Sequence, residues 1–396
     1  MKKGAIDGVK VVDLSRVLGG PYCTQILADH GAEIIKVEPP GGDETRTWGP
    51  PFVDGVAAYF AGVNRNKQGI VLDLSEQKGR DILFNLLSEA DVLVENFKPS
   101  TLARWGLDYD EVLSRQFPEL IHCAITGFGP DGPLGGLPGY DAIIQAMAGL
   151  MSVNGSADSG PSRVGVPVVD MVTGMNAALA VMLALYERQF SGKGQSLDIA
   201  LYDSGISFMH PHLPNYFADG RLPQLTGNDH PNISPYSTFR TSDGPIFLAV
   251  GNNRQFAKLC ELLGAPELPD DPRFADNADR CENRETLRER LEDLMRESSS
   301  ADLARQLIHA GIPAGPVQDI AAMSDHPHTH HREMIVDIGE YRGTGSPIKM
   351  SRTPPTYRTP PPEHGADSRA VLDRLGIDRQ TQERLFAEGI IKEPAD

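Results

Sequence analysis

Cysteine is scarce in this 396-residue chain, and the four that occur, Cys23, Cys123, Cys260 and Cys281, share no CxxC spacing. That excludes a disulfide framework and a cysteine-based zinc site, and it fits a reducing compartment. Positive charge is also short. The 37 Lys and Arg face 54 Asp and Glu, for a net charge of −17. Such a chain offers no general basic face, so neither nucleic acid nor an anionic membrane is expected as a partner. An anionic ligand must be held by a local basic cluster. No unbroken apolar run approaches the roughly 18 residues that span a bilayer; the longest covers 177–186. Residues 1–8 begin with a charge but lack an apolar stretch, so no signal peptide and a cytoplasmic location are expected. The GxGxxG and GxxxxGK[ST] phosphate cradles are missing, as are GxSxG, HExxH and EF-hand patterns.

Glycine (40) and proline (31) are plentiful, which points to many tight turns. Between them, β-branched runs at 9–14, 32–38, 69–74, 91–96 and 120–125 read as strands, with helical patterns at 22–30 and 77–90. That alternation predicts βαβ units on a parallel sheet. A strand at 196–200 follows a helix over 171–188. The fold class is α/β: a Rossmann-like open sheet in a large domain, 1–200 and 325–396, plus a smaller α+β domain, 225–320. Residues 201–224 read as a linker. The smaller domain is predicted to hold a hairpin around Asp243-Gly244, helices at 254–263, 284–298 and 300–310, and a stiff returning turn at 311–317. Two amphipathic helices, 368–375 and 379–388, close the chain. The histidine-rich stretch 326–331 has no Cys or acidic partner at ligand spacing and reads as a solvated loop, so no metal is expected.

Asp170 stands out. The β-branched run 164–169 precedes it and a small-residue helix follows. A carboxylate there is predicted to sit at the positive end of a helix dipole among free backbone N–H groups, which would keep it ionised and nucleophilic. The plainer alternative is a helix N-cap. Asn96, Thr126 and Asp170 all fall at predicted carboxyl ends of strands, where open α/β sheets bind ligands.

Seven blocks carry a resemblance. They are 13–21 (Asp-Leu-Ser-Arg-Val-Leu-Gly-Gly-Pro), 27–38, 64–67 (Asn-Arg-Asn-Lys), 94–97 (Val-Glu-Asn-Phe), 139–141 (Gly-Tyr-Asp), 191–195 (Ser-Gly-Lys-Gly-Gln) and 250–253 (Val-Gly-Asn-Asn). Together, in order from about residue 6 to the C-terminus, they resemble the class III CoA-transferases of the CaiB/BaiF type. The resemblance implies an interlocked homodimer, no permanently bound cofactor, and coenzyme A thioesters and small carboxylates as substrates. It implies Asp170 as the catalytic nucleophile, passing through an aspartyl anhydride and an aspartyl-CoA thioester. It implies Arg16, Val17, Leu18, Gly19, Asn96, Phe97 and Arg104 as CoA contacts, with Lys36, Arg46, Lys67 and Lys98 as weaker candidates. Either of two glycine turns, Leu18-Gly19-Gly20 or the one at Gly251, would supply an oxyanion hole; positive φ is the plain alternative for those glycines. Asp141 reads as a cap for the helix after it or as catalytic support. Leu18 stands where formyl-CoA transferase has Gln, and Ser75 where it has Lys. Formyl transfer is therefore less favoured than transfer among small dicarboxylates. Racemases of the same fold rank second, because the position of their acid/base His is Tyr140, and a phenol is a poor base at neutral pH. A non-catalytic acyl-CoA binder is the third reading.

Overall fold

A computed structural model describes residues 4–394. Met1–Lys3, the charged start on which the leader expectation rests, lies outside them. The chain divides into two units: one from Met1–Leu150, Val164–Leu213 and His330–Asp396, the other from Met151–Arg163 and Pro214–Thr329.

The larger unit is built on six parallel strands: β1 (Lys10–Asp13), β2 (Glu33–Glu38), β3 (Lys67–Val71), β4 (Val92–Glu95), β5 (Ile121–Thr126) and β6 (Ser196–Ala200). Their order across the sheet is β3-β2-β1-β4-β5-β6. This is the doubly wound order, and it reverses between β1 and β4, which makes the carboxyl ends of those two strands the natural ligand crevice. The strands alternate between two cores, as a period of two requires. Val11, Val92, Val94 and Cys123 face α1 (Gly19–Asp29) and a long helix at Val168–Ser191. Val12, Leu93, Ile35 and Ile70 face α2 (Gln77–Leu87) and the two C-terminal helices, Ser368–Arg374 and Arg379–Ala387.

Between the sheet's fifth and sixth strands lie α3 (Asp141–Met147) and α4 (Val168–Ser191). The unbroken apolar run at 177–186 is only part of this helix. By length and composition α4 is in fact long and apolar enough to cross a membrane. Its Val169, Thr173, Ala177, Val181 and Ala184 are buried in the core of the unit, against α1 and the sheet. The stretch expected as a linker holds two helices, Leu201–Ser207 and His212–Asp219. Prolines and glycines around 211 and 220 hid the periodicity of those short helices.

The smaller unit carries an antiparallel sheet of β7 (Tyr236–Arg240), β8 (Pro245–Ala249) and β9 (Ala314–Pro316). The hairpin at Asp243-Gly244 is where expected. The supposed returning turn is instead β9, because Ala314 and Pro316 extend along β8 as its third partner. Residues 151–163 join this unit, with Ser156 bridged to Thr226. The histidine-rich stretch is a short helix, Pro327–His331, rather than a loop. Among the described residues no His, Cys, Asp and Glu group is placed to hold a metal.

Candidate active site

Asp170 is the third residue of α4, and residues 164–167, which lead into that helix, form no strand. Gly165 and Pro167 break the β-branched run, and Pro167 lacks the N–H a ladder needs while suiting a helix entry. The first N–H groups of α4 are all taken. Val168 donates to Val166 O (2.7 Å) and Met171 to Pro167 O (3.1 Å). Val169 and Asp170 donate to Asp141 Oδ1 at 2.8 and 3.3 Å. The free donors expected to keep Asp170 ionised are therefore absent. Burial, and next the charge of Asp141, push its carboxyl up to about 7. Near neutral pH the group is split between acid and carboxylate, which corrects the expectation of a fully ionised side chain.

Asp141 does not cap its own helix, because Tyr140 occupies the N-cap of α3. It caps α4 instead. Its other oxygen accepts from Gln145 Nε2 at 2.6 Å, and Gln145 Oε1 accepts from Val164 N–H at 2.8 Å. One residue thus fixes the backbone at Asp170 and raises its pKa. Tyr59 belongs to none of the seven blocks and was missed. Burial, then the charges of Asp170, Asp141 and Asp43, push its phenol up to about 12, so it remains a donor.

Asp170 opens into a cavity of about 190 Å³ lined also by Val17, Leu18, Gly19, Phe97 and Tyr140. No histidine lines it. A second cavity of about 390 Å³ lies over Leu72, Ser75 and Trp105 and shares Arg16, Phe97 and Lys98 with the first. Both sit at the carboxyl ends of β1 and β4, at the reversal of strand order. The N-terminus of α1 reaches the same place. A methyl group on Gly19 would lie 3.8 Å from Asp170 Oδ1, and one on Gly20 would lie 2.3 Å from Ser15 Oγ. Neither glycine has a positive φ; close approach demands Gly20, whereas a side-chain carbon at Gly19 would meet only ordinary contacts. The N–H groups of Gly19 and Gly20 meet no acceptor among the described residues.

Residues 6–368 match the model of CoA-transferase family III. The chain belongs to that family. It is 42% identical over 392 residues to the succinate–glutarate CoA-transferase of Agrobacterium fabrum, covering 96% of this chain and 98% of that one. It is 38% identical to the succinyl-CoA:mesaconate CoA-transferase of Haloarcula hispanica, covering 96% and 98%. A crystal structure of a CAIB/BAIF family protein from Brucella suis superimposes with a TM-score of 0.87 at 41% identity, over 95% of this chain and 100% of that one.

Within this CoA-transferase, the residues singled out from sequence divide into three groups. Arg16, Val17, Leu18, Gly19, Asn96, Phe97 and Lys98 line the first cavity with Asp170. Arg16 also pairs loosely with Glu44 (3.6 Å), while Phe97 stands edge-on to Trp105 at 5.4 Å. Arg104 is exposed at the end of the short helix Ser100–Arg104, bonds to Thr101 Oγ1 at 3.3 Å, and lines neither cavity. Gly251 belongs to the smaller unit, where Gln255 Oε1 already accepts its N–H at 2.9 Å. Its φ is not positive.

Lys36, Lys67 and Arg46 are structural. Lys67 pairs with Asp13 (3.1 Å) and Lys36 with Asp43 (3.1 Å), all four buried, and the partly buried Arg46 pairs with Glu38 (2.7 Å). Burial alone would raise the carboxyl of Asp13, but Lys67 and Lys36 outweigh it and its pKa falls. Ions so deeply buried must be paired, and a single sequence does not show which lysines have found partners.

Proposed function

We propose that this enzyme moves CoA between a donor acyl-CoA and an acceptor carboxylate, both small dicarboxylic acids, by covalent catalysis at Asp170. The observation that carries the reading is a half-buried carboxyl of pKa about 7 facing a cavity, beside the unoccupied N–H groups of α1. The Asp170 carboxylate attacks the thioester carbonyl and expels CoA thiolate, leaving a mixed anhydride. The thiolate attacks the aspartyl carbonyl and releases the donor acid, leaving an aspartyl-CoA thioester. The acceptor carboxylate attacks that thioester, freeing thiolate and forming a second anhydride. Attack of thiolate on the acyl carbonyl yields the new acyl-CoA and restores Asp170. Each tetrahedral oxyanion needs donors that are not already bonded. The Gly19 and Gly20 N–H groups meet that need better than Gly251. A poorly solvated carboxylate is a stronger nucleophile than one in water, and exclusion of water protects the anhydride.

The second cavity suits the nucleotide end of CoA. Phe97 and Trp105 offer an apolar wall, and Arg16 and Lys98 supply cations at the junction of the cavities. The dicarboxylate assignment rests on the names of the relatives, which pair succinate or succinyl-CoA with glutarate or mesaconate. Homodimerisation is supported by an apolar stripe along α4, where Met175, Leu179, Leu183, Tyr186 and Phe190 are exposed at helical spacing. The test is mass spectrometry after incubation with succinyl-CoA, with and without hydroxylamine. A mass increment and its hydroxamate on Asp170 are expected. No adduct, together with exchange of the α-hydrogen into deuterated solvent, would replace this reading with a racemase.

A further inference from the structure

The segment joining β1 to α1 is held at nearly every backbone group. Ser15 N–H donates to Asp13 Oδ1 (2.9 Å), and Ser15 O accepts from Lys36 Nζ (2.8 Å). Arg16 is gripped twice by one side chain: its N–H donates to Asn96 Oδ1 at 3.0 Å and its carbonyl accepts from Asn96 Nδ2 at 2.7 Å. Val17 N–H faces the Asp43 carboxylate at 3.3 and 3.4 Å. Among these anchored residues Val17 has a φ of +70°. A β-branched side chain is a genuine outlier there, and such a conformation persists only where the surroundings impose it. Relaxation of Val17 to an ordinary φ would re-aim Leu18 and Gly19, the residues next to Asp170.

We propose that Asn96 is a positioning residue rather than a CoA ligand. Its two-point clamp on Arg16, with Asp43 behind Val17, holds the strained turn that presents the start of α1 to Asp170. The amide is already committed on both its oxygen and its nitrogen. Each group keeps room for one further bond, so the role is assigned by the two-point clamp on one backbone and not by exhaustion of the amide.

The inference rests on the transfer reading above, so it is tested by rescue and referenced to Asp170→Ala. Asn96→Ala is expected to lower kcat/KM for succinyl-CoA at least tenfold. Val17→Gly, which accepts a positive φ without strain, is measured alone as the reference for the double variant. Adding Val17→Gly to Asn96→Ala is expected to restore several-fold of the lost kcat/KM, mainly through kcat, because the turn then no longer needs to be forced. A ligand role for Asn96 predicts a loss confined to KM and no rescue by Val17→Gly, and that result would overturn the proposal. Thermal melting of each variant separates rescue of geometry from rescue of folding: recovery of activity that merely follows recovery of the melting midpoint would also overturn it. If Asp170→Ala retains turnover, the transfer reading fails whatever the clamp does.

Discussion

If Asp170 is the nucleophile proposed above, a carboxyl with a pKa near 7 makes it a switch as well. Its carboxylate is the reactive form, so kcat/KM should rise about tenfold per pH unit on the acid side and level off above about pH 7. Asp141→Asn keeps an oxygen for the Val169 and Asp170 N–H groups but removes the charge. The acid limb of that profile should then move to lower pH; a profile that stays in place would show the charge to be irrelevant. The sign for stability is opposite to that of a salt-bridged aspartate. Because the folded-state pKa lies above the unfolded one, the folded state holds more protons between about pH 4 and 7, and stability falls as pH rises through that window. Asp170→Asn should therefore abolish transfer, by about a thousandfold or more, yet raise the melting midpoint at pH 8 by about 2 °C and change it little at pH 4. The candidacy of Asp170 was legible in its sequence context. Its protonation was not, because the residue that governs it, Asp141, lies 29 positions away and reaches it only through the fold.

Among the elements, the crossing of α1 and α4 sets the geometry. A methyl group on Gly174 would fall 2.6 Å from Gly19 O and 3.1 Å from the Tyr22 ring. Gly174→Ala must push the two helices apart, at a cost of about 1–3 kcal/mol readable by urea denaturation. Since Gly19 stands at that crossing, activity should fall more steeply than stability; proportional losses would mean the crossing matters only for folding. Parallel strands and the amphipathic C-terminal helices were readable from periodicity. The start of α4 was misread because Val164–Val169 has strand composition, and only Gly165 and Pro167 signalled otherwise. Likewise β9 was hidden, since a three-residue strand rich in Gly and Pro looks like a turn until β8 pairs with it.

For the whole molecule, the acid surplus disfavours unspecific association of copies, so any assembly must come from a specific apolar patch. Leu183→Asp with Phe190→Asp places charges on the exposed stripe of α4 without touching its buried face. Sedimentation should show the parent at about twice the 43.0 kDa chain mass and the variant shifted toward one chain; an unchanged mass would mean that α4 is not the contact. The overall plan was readable because doubly wound sheets leave a repeated strand–helix rhythm. The distribution of lysines between buried pairs and ligand contacts was not, since Lys36 and Lys98 differ in surroundings rather than in residue type.

The sheet's β3 edge is closed by the last part of the chain. Asp367 Oδ2 accepts from Gly69 N–H (2.7 Å), Ile390 O accepts from Asp73 N–H (2.9 Å), and Val371, Leu372 and Leu385 pack with Ile70 and Leu72. A ribosome making this protein exposes β1–β3 long before it delivers their cover. The nascent chain must carry that half-covered apolar face, a ready target for chaperones, through the synthesis of almost the entire message. A premature stop codon near position 360 would thus release a polypeptide that keeps Asp170 and the lining of both cavities yet has one side of its sheet without its C-terminal cover.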